Sequence, residues 1–532
     1  MKKIIFIFLI VHCTLIIENC LSQVTQEWVK NYPGPSNDLY GPFLAVDKQG
    51  NSYIAGTHVI NDSINILCVK YNTSGTQIWA TLYKYPGDGY FAPSGLALDT
   101  SGNAYVTSIS GLSTFYPLNS LLVKFSNSNG VVLWAKKYIG QYGSSEPLDI
   151  KIDRFNNIYV AGWSDTSHLL IKYNTNGDSI WVRKYNPPGI RDLGYACTID
   201  DSLNVILTGR RRYCLVICFD TVFTAKYNAS GDLEWIRTYH YDNVLNFGSK
   251  IAADQFGSVY IAGQSRISGF LVYLTLKYDR NGVQQWASIY NGPGGGDDNI
   301  RAISIDRTNN CVTVTGAISG SSNKTECGTI KYNATTGDSI WIRRDTGTYS
   351  NAGASDIKTD AFGYIYITGG TYTTPPSTGA LLTTKYTSQG STAWQVTYNG
   401  AGRGQAIGLD TSRNIYICGY YENNYIVIKY SQFSGIRPIS NSIPKNFKLG
   451  QNFPNPFNPV SRIRFSIPKN SSVQLRIYDV LGRMKEMPVN KQLRPSEYEI
   501  IVEASNYTSG VYFYQLIADG NIVDTKKLVV LK

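Results

Sequence analysis

Few of the side chains that do chemistry in enzymes are spaced in a usable way in this 532-residue sequence. His58, His168 and His240 are scattered too widely to suggest a histidine metal site, and His-Glu-x-x-His is absent. A Gly-x-Ser-x-Gly nucleophile elbow and a Gly-x-x-x-x-Gly-Lys phosphate loop are also missing. NGAGRGQ at 399–405 fails the Gly-x-Gly-x-x-Gly pattern and reads as a connection between strands. Neither a metal nor a cofactor is therefore expected. Binding chemistry is better represented. Tyr90, Phe91, Trp163 and Tyr421 offer rings for stacking on a sugar or peptide, and Arg210, Arg211 and Arg212 offer guanidinium groups to an anionic partner. Asp297 and Asp298 complete this candidate set. A hydrolase or lyase acting on polysaccharide stays open as the alternative, because paired carboxylates can come from distant parts of a chain.

These residues belong to a repeat. KYNTSGTQIW at 70–79 returns as KYNTNGDSIW at 172–181 and KYNATTGDSIW at 331–341. A Lys-Tyr or Lys-Phe pair occurs eight times, led by Lys70, Lys124, Lys172, Lys226, Lys277, Lys331, Lys385 and Lys429. Tryptophan marks the same eight units at Trp28, Trp79, Trp134, Trp181, Trp235, Trp286, Trp341 and Trp394. Upstream of each Lys is an Asp-led turn and an apolar run, as in DKQGNSYIAG at 47–56 and DTSRNIYICG at 410–419. Asp can bond its own downstream amides while Gly or Asn takes the positive-φ position, which is hairpin chemistry. Each unit reads as four short strands, and four-stranded units of this length are propeller blades. Such a sheet is apolar on both faces and must lean on its neighbours.

The expectation is an all-β protein: an eight-bladed β-propeller over 23–430, a linker over 431–448, and a small Ig-like β-sandwich over 449–532. Trp28 has no first three strands before it, and Lys429-Tyr430 has no Trp after it, so the two fragments should complete one blade. Two residues before each Asp, mostly small side chains should crowd the axis. Lys151 and Lys358 are exceptions, expected to face each other across the channel. The variable connections, among them RRRYCLVICFDTVF at 210–223 and NGPGGGDDN at 291–299, should gather on one face and carry any ligand.

D-x-x-G-N-x-Y-[IV]-A-G and K-Y-N-x-x-G-x-x-x-W resemble the SBBP-type β-propeller repeats of bacterial secreted proteins. That resemblance covers about residues 28 to 430 and implies fold, not activity. Eight blades with Gly-x-x-x-Trp are also similar to pyrroloquinoline-quinone dehydrogenases, but the adjacent cysteine pair of those enzymes has no counterpart here.

The tail is a different object. Gln451-Asn452-Phe453-Pro454-Asn455-Pro456-Phe457-Asn458-Pro459, Tyr478-Asp479-x-x-Gly482-Arg483, Ser509-Gly510-Val511-Tyr512 and the Lys526-Lys527 strand resemble the type A C-terminal sorting domain of the type IX secretion system of Bacteroidetes. The resemblance implies partners, an outer-membrane translocon and a sortase, and delivery to the surface or the medium. Arg494-Pro495-Ser496 departs from the Gly-containing turn usual before the penultimate strands.

At the other end, Lys2 and Lys3, an apolar run from Ile4 to Ile17 and small residues before Gln23 give the layout of a signal peptide over 1–22. No later stretch is long and apolar enough for a transmembrane segment. Formal charge is +11, and residues 440–532 hold 13 Lys/Arg against 7 Asp/Glu. Lacking a basic block interleaved with aromatics, the chain is not expected to bind nucleic acid. Beyond residue 22 there are seven cysteines. Cys68, Cys197 and Cys418 occupy apolar repeat positions, and Cys311 with Cys327, in adjacent predicted strands of one repeat, is a candidate disulfide, though the sequence leaves the pairing open.

Overall fold

The computed structural model describes residues 24–531 apart from 34–40, 61–62, 114–116, 186, 188–189, 215–217, 242–244, 322–323, 348, 374–378, 401, 423, 433–436, 441–442, 459 and 504–506. The expected signal peptide lies outside the described residues. Among those described there is no α-helix; the secondary structure is strand, arranged in ten four-stranded antiparallel sheets.

Eight of these sheets lie within residues 24–432. Seven are simple meanders spanning 43–83, 90–138, 145–185, 190–239, 246–290, 299–345 and 351–399. The eighth is split: Gly402–Leu409, Ile415–Tyr421 and Asn424–Gln432 are completed by Val24–Pro33 from the start of the chain, with Trp28 opposite Lys429. The first strand of each sheet touches the first strand of the next, and that of the eighth touches that of the first, giving a closed propeller-like ring. Closure leaves no sheet flank bare.

The sequence makes these sheets with two devices. The Asp-led turn is one: Asp47 Oδ1 accepts the amides of Gln49 at 3.0 Å and Asn51 at 2.8 Å, while Gly50 sits at φ 84°. The cross-strand pair of Lys and Trp is the other. Lys277 stands directly opposite Trp286, and both donate to the carbonyl of Ala334 in the next sheet, at 2.7 and 3.2 Å. The same convergence on one carbonyl joins Lys70 and Trp79 to Asn127, Lys226 and Trp235 to Arg280, and Lys429 and Trp28 to Thr73. The Gly of the turn between third and fourth strands lies on the Trp ring of the preceding sheet; a Cβ at Gly337 would come within 2.6 Å of Trp286. Beneath several lysines lies a buried Tyr, as with Lys124 Nζ 5.1 Å from the Tyr105 ring centre. Where Thr313 stands in that place, Lys331 reaches Asp306 directly at 3.2 Å.

The hydrophobic cores are layers between sheets. Tyr53, Cys68 and Trp79 of the first sheet pack with Phe91, Val106 and Leu121 of the second, and the series closes where Leu67 and Val69 meet Cys418 and Val427. Second and third strands are buried on both faces, which is why they read as continuous apolar runs.

Two cysteine expectations need correction. Cys311 and Cys327 are free and buried, and the disulfide joins Cys214 to Cys218. Register is the reason: Cys311 pairs across from Asn333 and Cys327 from Ala317, at opposite ends of the same strand pair, whereas Cys214 faces Cys218. RRRYC is not loop but the end of the strand Val205–Cys214, whose hairpin partner is Cys218–Tyr227.

The tail forms two four-stranded sheets over one core that includes Phe457, Phe465, Leu475, Tyr514 and Val530. Arg437–Ser440, inside the stretch expected as linker, pairs with Ser496–Glu503 as an edge strand of this unit.

Candidate functional site

Strand alternation sorts the three arginines, because neighbours on a strand point to opposite faces. Arg211 turns into the layer between the third and fourth sheets. There its guanidinium donates to both carboxylate oxygens of Asp192 at 2.8 and 2.7 Å, beside fully buried His168. His168 Nε2 is 2.8 Å from Tyr227 Oη, and the ring stacks on Phe223 with centres 5.0 Å apart. Burial, only partly offset by Asp192, lowers the His168 pKa, while Arg211 outweighs burial to hold Asp192 below the usual carboxylate range. Arg211 is thus a core ion-pair residue, not a ligand for an outside anion. Arg212 points the other way and donates to Asp220 at 2.7 and 2.9 Å, with Arg210 3.8 Å from the same carboxylate.

Around Arg210 and Arg212 the third to fifth sheets bring together residues the repeat pattern did not reveal. The Arg191 guanidinium lies 5.5 Å from the Trp163 ring centre, and Trp163 hydrogen-bonds Glu146. Burial raises the Glu146 pKa, against the opposing pull of that bond and of Arg191. Tyr195 sits edge-on to Phe247 at 6.3 Å and within the electrostatic reach of Arg210, Asp220, Arg212 and Arg191. Tyr195 is the bulged residue between Gly194 and Ala196, so its ring leaves the regular alternation of the inner strand. Trp163 itself is mostly buried, and the exposed guanidinium of Arg191 covers it.

The other expected residues do not join this cluster. Phe91 is 1% exposed and belongs to the core between the first and second sheets, so it cannot stack on a ligand, and Tyr90 is half-buried beside it. Asp298 is fully buried, accepts the amides of Gly292 at 2.6 Å and Ser319 at 2.7 Å, and has its pKa raised by burial. Asp297 accepts Leu271 N at 2.8 Å. Both aspartates shape their own loop. Tyr421 packs edge-on against Tyr398 at 5.4 Å.

At the axis, Lys151 lies 2.6 Å from Asp149 and Lys358 lies 3.4 Å from Asp356, each two residues along its own strand. These carboxylates also tie sheets together: Asp149 accepts Cys197 N at 2.9 Å and Asp356 accepts Ile407 N at 3.0 Å. Asp356 acts electrostatically on Lys151 across the axis. The lysines therefore meet acidic groups first. No cluster of three or more potential metal ligands occurs among the described residues.

In the tail the Pro-rich motif is a strap over the last strand, Asn521–Val530. Asn455 accepts Val529 N at 2.9 Å and donates to Lys527 O at 3.1 Å; Phe457, 2% exposed, donates its amide to Val529 O at 3.0 Å. Pro454 and Pro456 follow cis peptide bonds, and Asn458 is exposed. Pro459 lies outside the described residues. Asp479 closes a turn like those of the ring: its carboxylate accepts Arg483 N at 3.0 Å and Arg483 Nε at 2.8 Å, with Gly482 at φ 74°. Tyr512 packs on Tyr507 at 4.9 Å beyond Gly510, Lys526 pairs with Asp524 at 3.0 Å, and Lys527 offers its carbonyl to the strap. The Arg494-Pro495 step is a tight turn between strands, closed by Tyr498 Oη donating to Arg494 O at 2.9 Å.

Comparison with known proteins agrees with this tail. Residues 451–531 match the family of the secretion system C-terminal sorting domain. The chain thus carries a type IX sorting tail, which directs it to the cell surface or extracellular space. No curated protein matches the chain. Among solved structures, Sqt1 of Chaetomium thermophilum, bound to the N-terminus of ribosomal protein L10, is 9% identical with a TM-score of 0.49, covering 76% of this chain and 99% of that one. A protein of unknown function from Bacteroides caccae is 14% identical, TM-score 0.29, over 47% of this chain and 81% of that one. A streptogramin B lyase is 11% identical, TM-score 0.38, over 66% and 96%. No helix of the described residues is long and apolar enough to cross a membrane.

Proposed function

We propose that the chain is an eight-bladed β-propeller of SBBP-type repeats with an Ig-like sorting domain, exported by the type IX translocon and processed by its sortase. On this reading it is a surface or secreted binding protein. Its ligand is a glycan, a peptide or an anionic surface polymer, met where the third to fifth sheets turn at one mouth of the ring. One observation carries this: Arg191, Tyr195, Arg210 and Arg212 converge there with Trp163 and Phe247, mixing cations with rings in a single patch. Such mixing suits sugars and acidic polymers. The test is a glycan and peptide array probed with the full chain, Arg191→Ala and Tyr195→Ala. The wild type should retain a ligand class that both variants lose, whereas an empty array, or binding that both variants keep, would remove the assignment.

The hydrolase or lyase reading has one observation in its favour, the raised pKa of Glu146 beside Trp163, which suits a general acid. Against it, Asp192 and Asp220 are committed to arginines. Reducing-end release from a polysaccharide panel, abolished in Glu146→Gln, would reinstate it.

A further inference from the structure

The split sheet lacks one thing the other seven have. Its third strand ends at Gln432 and its fourth begins at Val24, so no turn joins them. Elsewhere that turn does two jobs. It supplies the carbonyl on which the preceding sheet's Lys and Trp converge, and in several sheets it braces the positive-φ residue of the Asp-led turn beside it. Gly50 lies against Thr73, Gly102 against Asn127 and Gly363 against Ser388, while Asn310 donates to Thr335 at 2.8 Å. At the split sheet the first job falls to a side chain, since Lys385 donates to Gln432 Oε1 at 2.6 Å.

The second job falls to the tail. At the position of Gly50 and Gly363 the split sheet has Arg413, held at φ 63°. Leu203 holds the equivalent position of the fourth sheet at φ 67°, so what sets Arg413 apart is not its backbone but its contacts. The Arg413 guanidinium donates to Met487 O at 3.2 Å in the sorting domain and lies 4.7 Å from the Phe362 ring centre of the seventh sheet. Ser412 Oγ donates to Asn490 O at 3.3 Å. Gln432, the end of the truncated strand, donates to Arg413 O at 2.6 Å. Met487, Pro488, Val489, Asn490 and Lys491 together wall a shallow cleft whose other side is Thr411 to Asn414 with Ser431 and Gln432.

We infer that the sorting domain docks on the ring at its split sheet, its Met487–Lys491 segment standing where the missing turn would be, with Arg413 as the latch. The occupant of this surface is the chain's own tail, and detaching the tail uncovers it. The surface then left carries Ser412, Arg413 and Gln432. The inference rests on the geometry of the joint and not on the identity of any ligand.

Full-length protein, Arg413→Gly and Arg413→Asn provide the test. Gly and Asn both adopt positive φ more easily than Arg, so a purely conformational role predicts variants as stable as the parent or more so. A latch predicts the opposite at the joint. Loss of a charged hydrogen bond is worth roughly one tenfold step in the docking equilibrium. Limited proteolysis within 433–448 should therefore run about tenfold faster in both variants, and small-angle scattering should show a larger radius of gyration. Retained far-ultraviolet dichroism and an unchanged main melting transition verify that the ring itself is intact. Ser412→Ala should move the same readouts in the same direction by less. If both Arg413 variants keep the parent's cleavage rate and scattering profile, the docking assignment is overturned.

Discussion

The ring and the tail hold themselves together in opposite ways. In the ring, one joint is written repeatedly: a Lys, a Trp and a carbonyl of the next sheet, as at Lys70, Trp79 and Asn127. In the tail nothing repeats: two sheets share one core, and a single strap, where Asn455 and Phe457 are held, fastens the beginning of the domain to its final strand. A distributed design tolerates the loss of one joint, because each sheet answers only to its neighbours. A concentrated one does not. This contrast fits their tasks: the ring has to persist outside the cell, and the tail has to be one shape that an export machine reads.

Substitutions can break or sharpen the contrast. The largest effect is expected for Phe457→Ala, which empties a core site that is 2% exposed; about 3–5 kcal/mol should be lost from the tail alone. Surface delivery should fail while the ring's melting transition stays, and delivery at the parental level would refute the concentrated design. Next comes Lys331→Met, which leaves the 2% exposed Asp306 uncompensated and should cost about 3 kcal/mol in a urea titration. Its effect should remain within the sixth and seventh sheets by hydrogen exchange.

A glycine pair separates packing from backbone strain. Gly337→Ala meets both a positive φ of 79° and the Trp286 ring, so roughly 2 kcal/mol is expected. Gly482→Ala meets only the φ of 74° with open space around it, and about 1 kcal/mol should suffice. Equal losses would show that the close approach to Trp carries no weight.

The smallest effect is a pH dependence confined to the ring. The His168 pKa is lowered by burial, so the folded state favours the neutral ring. Its contribution is complete above the ordinary histidine value of 6.5 and falls away as pH drops below it, since the unfolded chain takes the proton first. Thermal midpoints of His168→Gln should lack that part of the slope between neutral and mildly acidic pH. A parallel pair of curves would place the acid sensitivity elsewhere.

What could be read from the letters alone follows from the same contrast. A joint written eight times leaves a period, so the Lys, Trp and Asp positions and the pairing of Trp28 with Lys429 were legible in the sequence. The strap was legible through its proline spacing. Singular features were not. The partners of Arg211 and Arg212 are Asp192, on a neighbouring strand, and Asp220, across a hairpin, and nothing periodic connects them. The disulfide depended on a register that adjacency alone does not fix, which is why Cys311 and Cys327 misled. Tyr195 stands on an inner-strand bulge that recurs in other sheets, and period-two alternation does not reveal a bulge. The role of Arg413 lies in a contact with the tail, Met487 O, which no repeat encodes.

The sharing of the eighth sheet between the two extremities of residues 24–432 sets an order of events. Until Asn424–Gln432 has emerged, Val24–Pro33 has no partner strand, and both the first and seventh sheets keep a greasy flank uncovered. Nascent chain must then wait, sheltered or held extended, through most of its synthesis and passage. Premature halves would stick to one another. The circle is locked from its last stitch, so whatever escorts this chain to the outside has to guard an unfinished hoop.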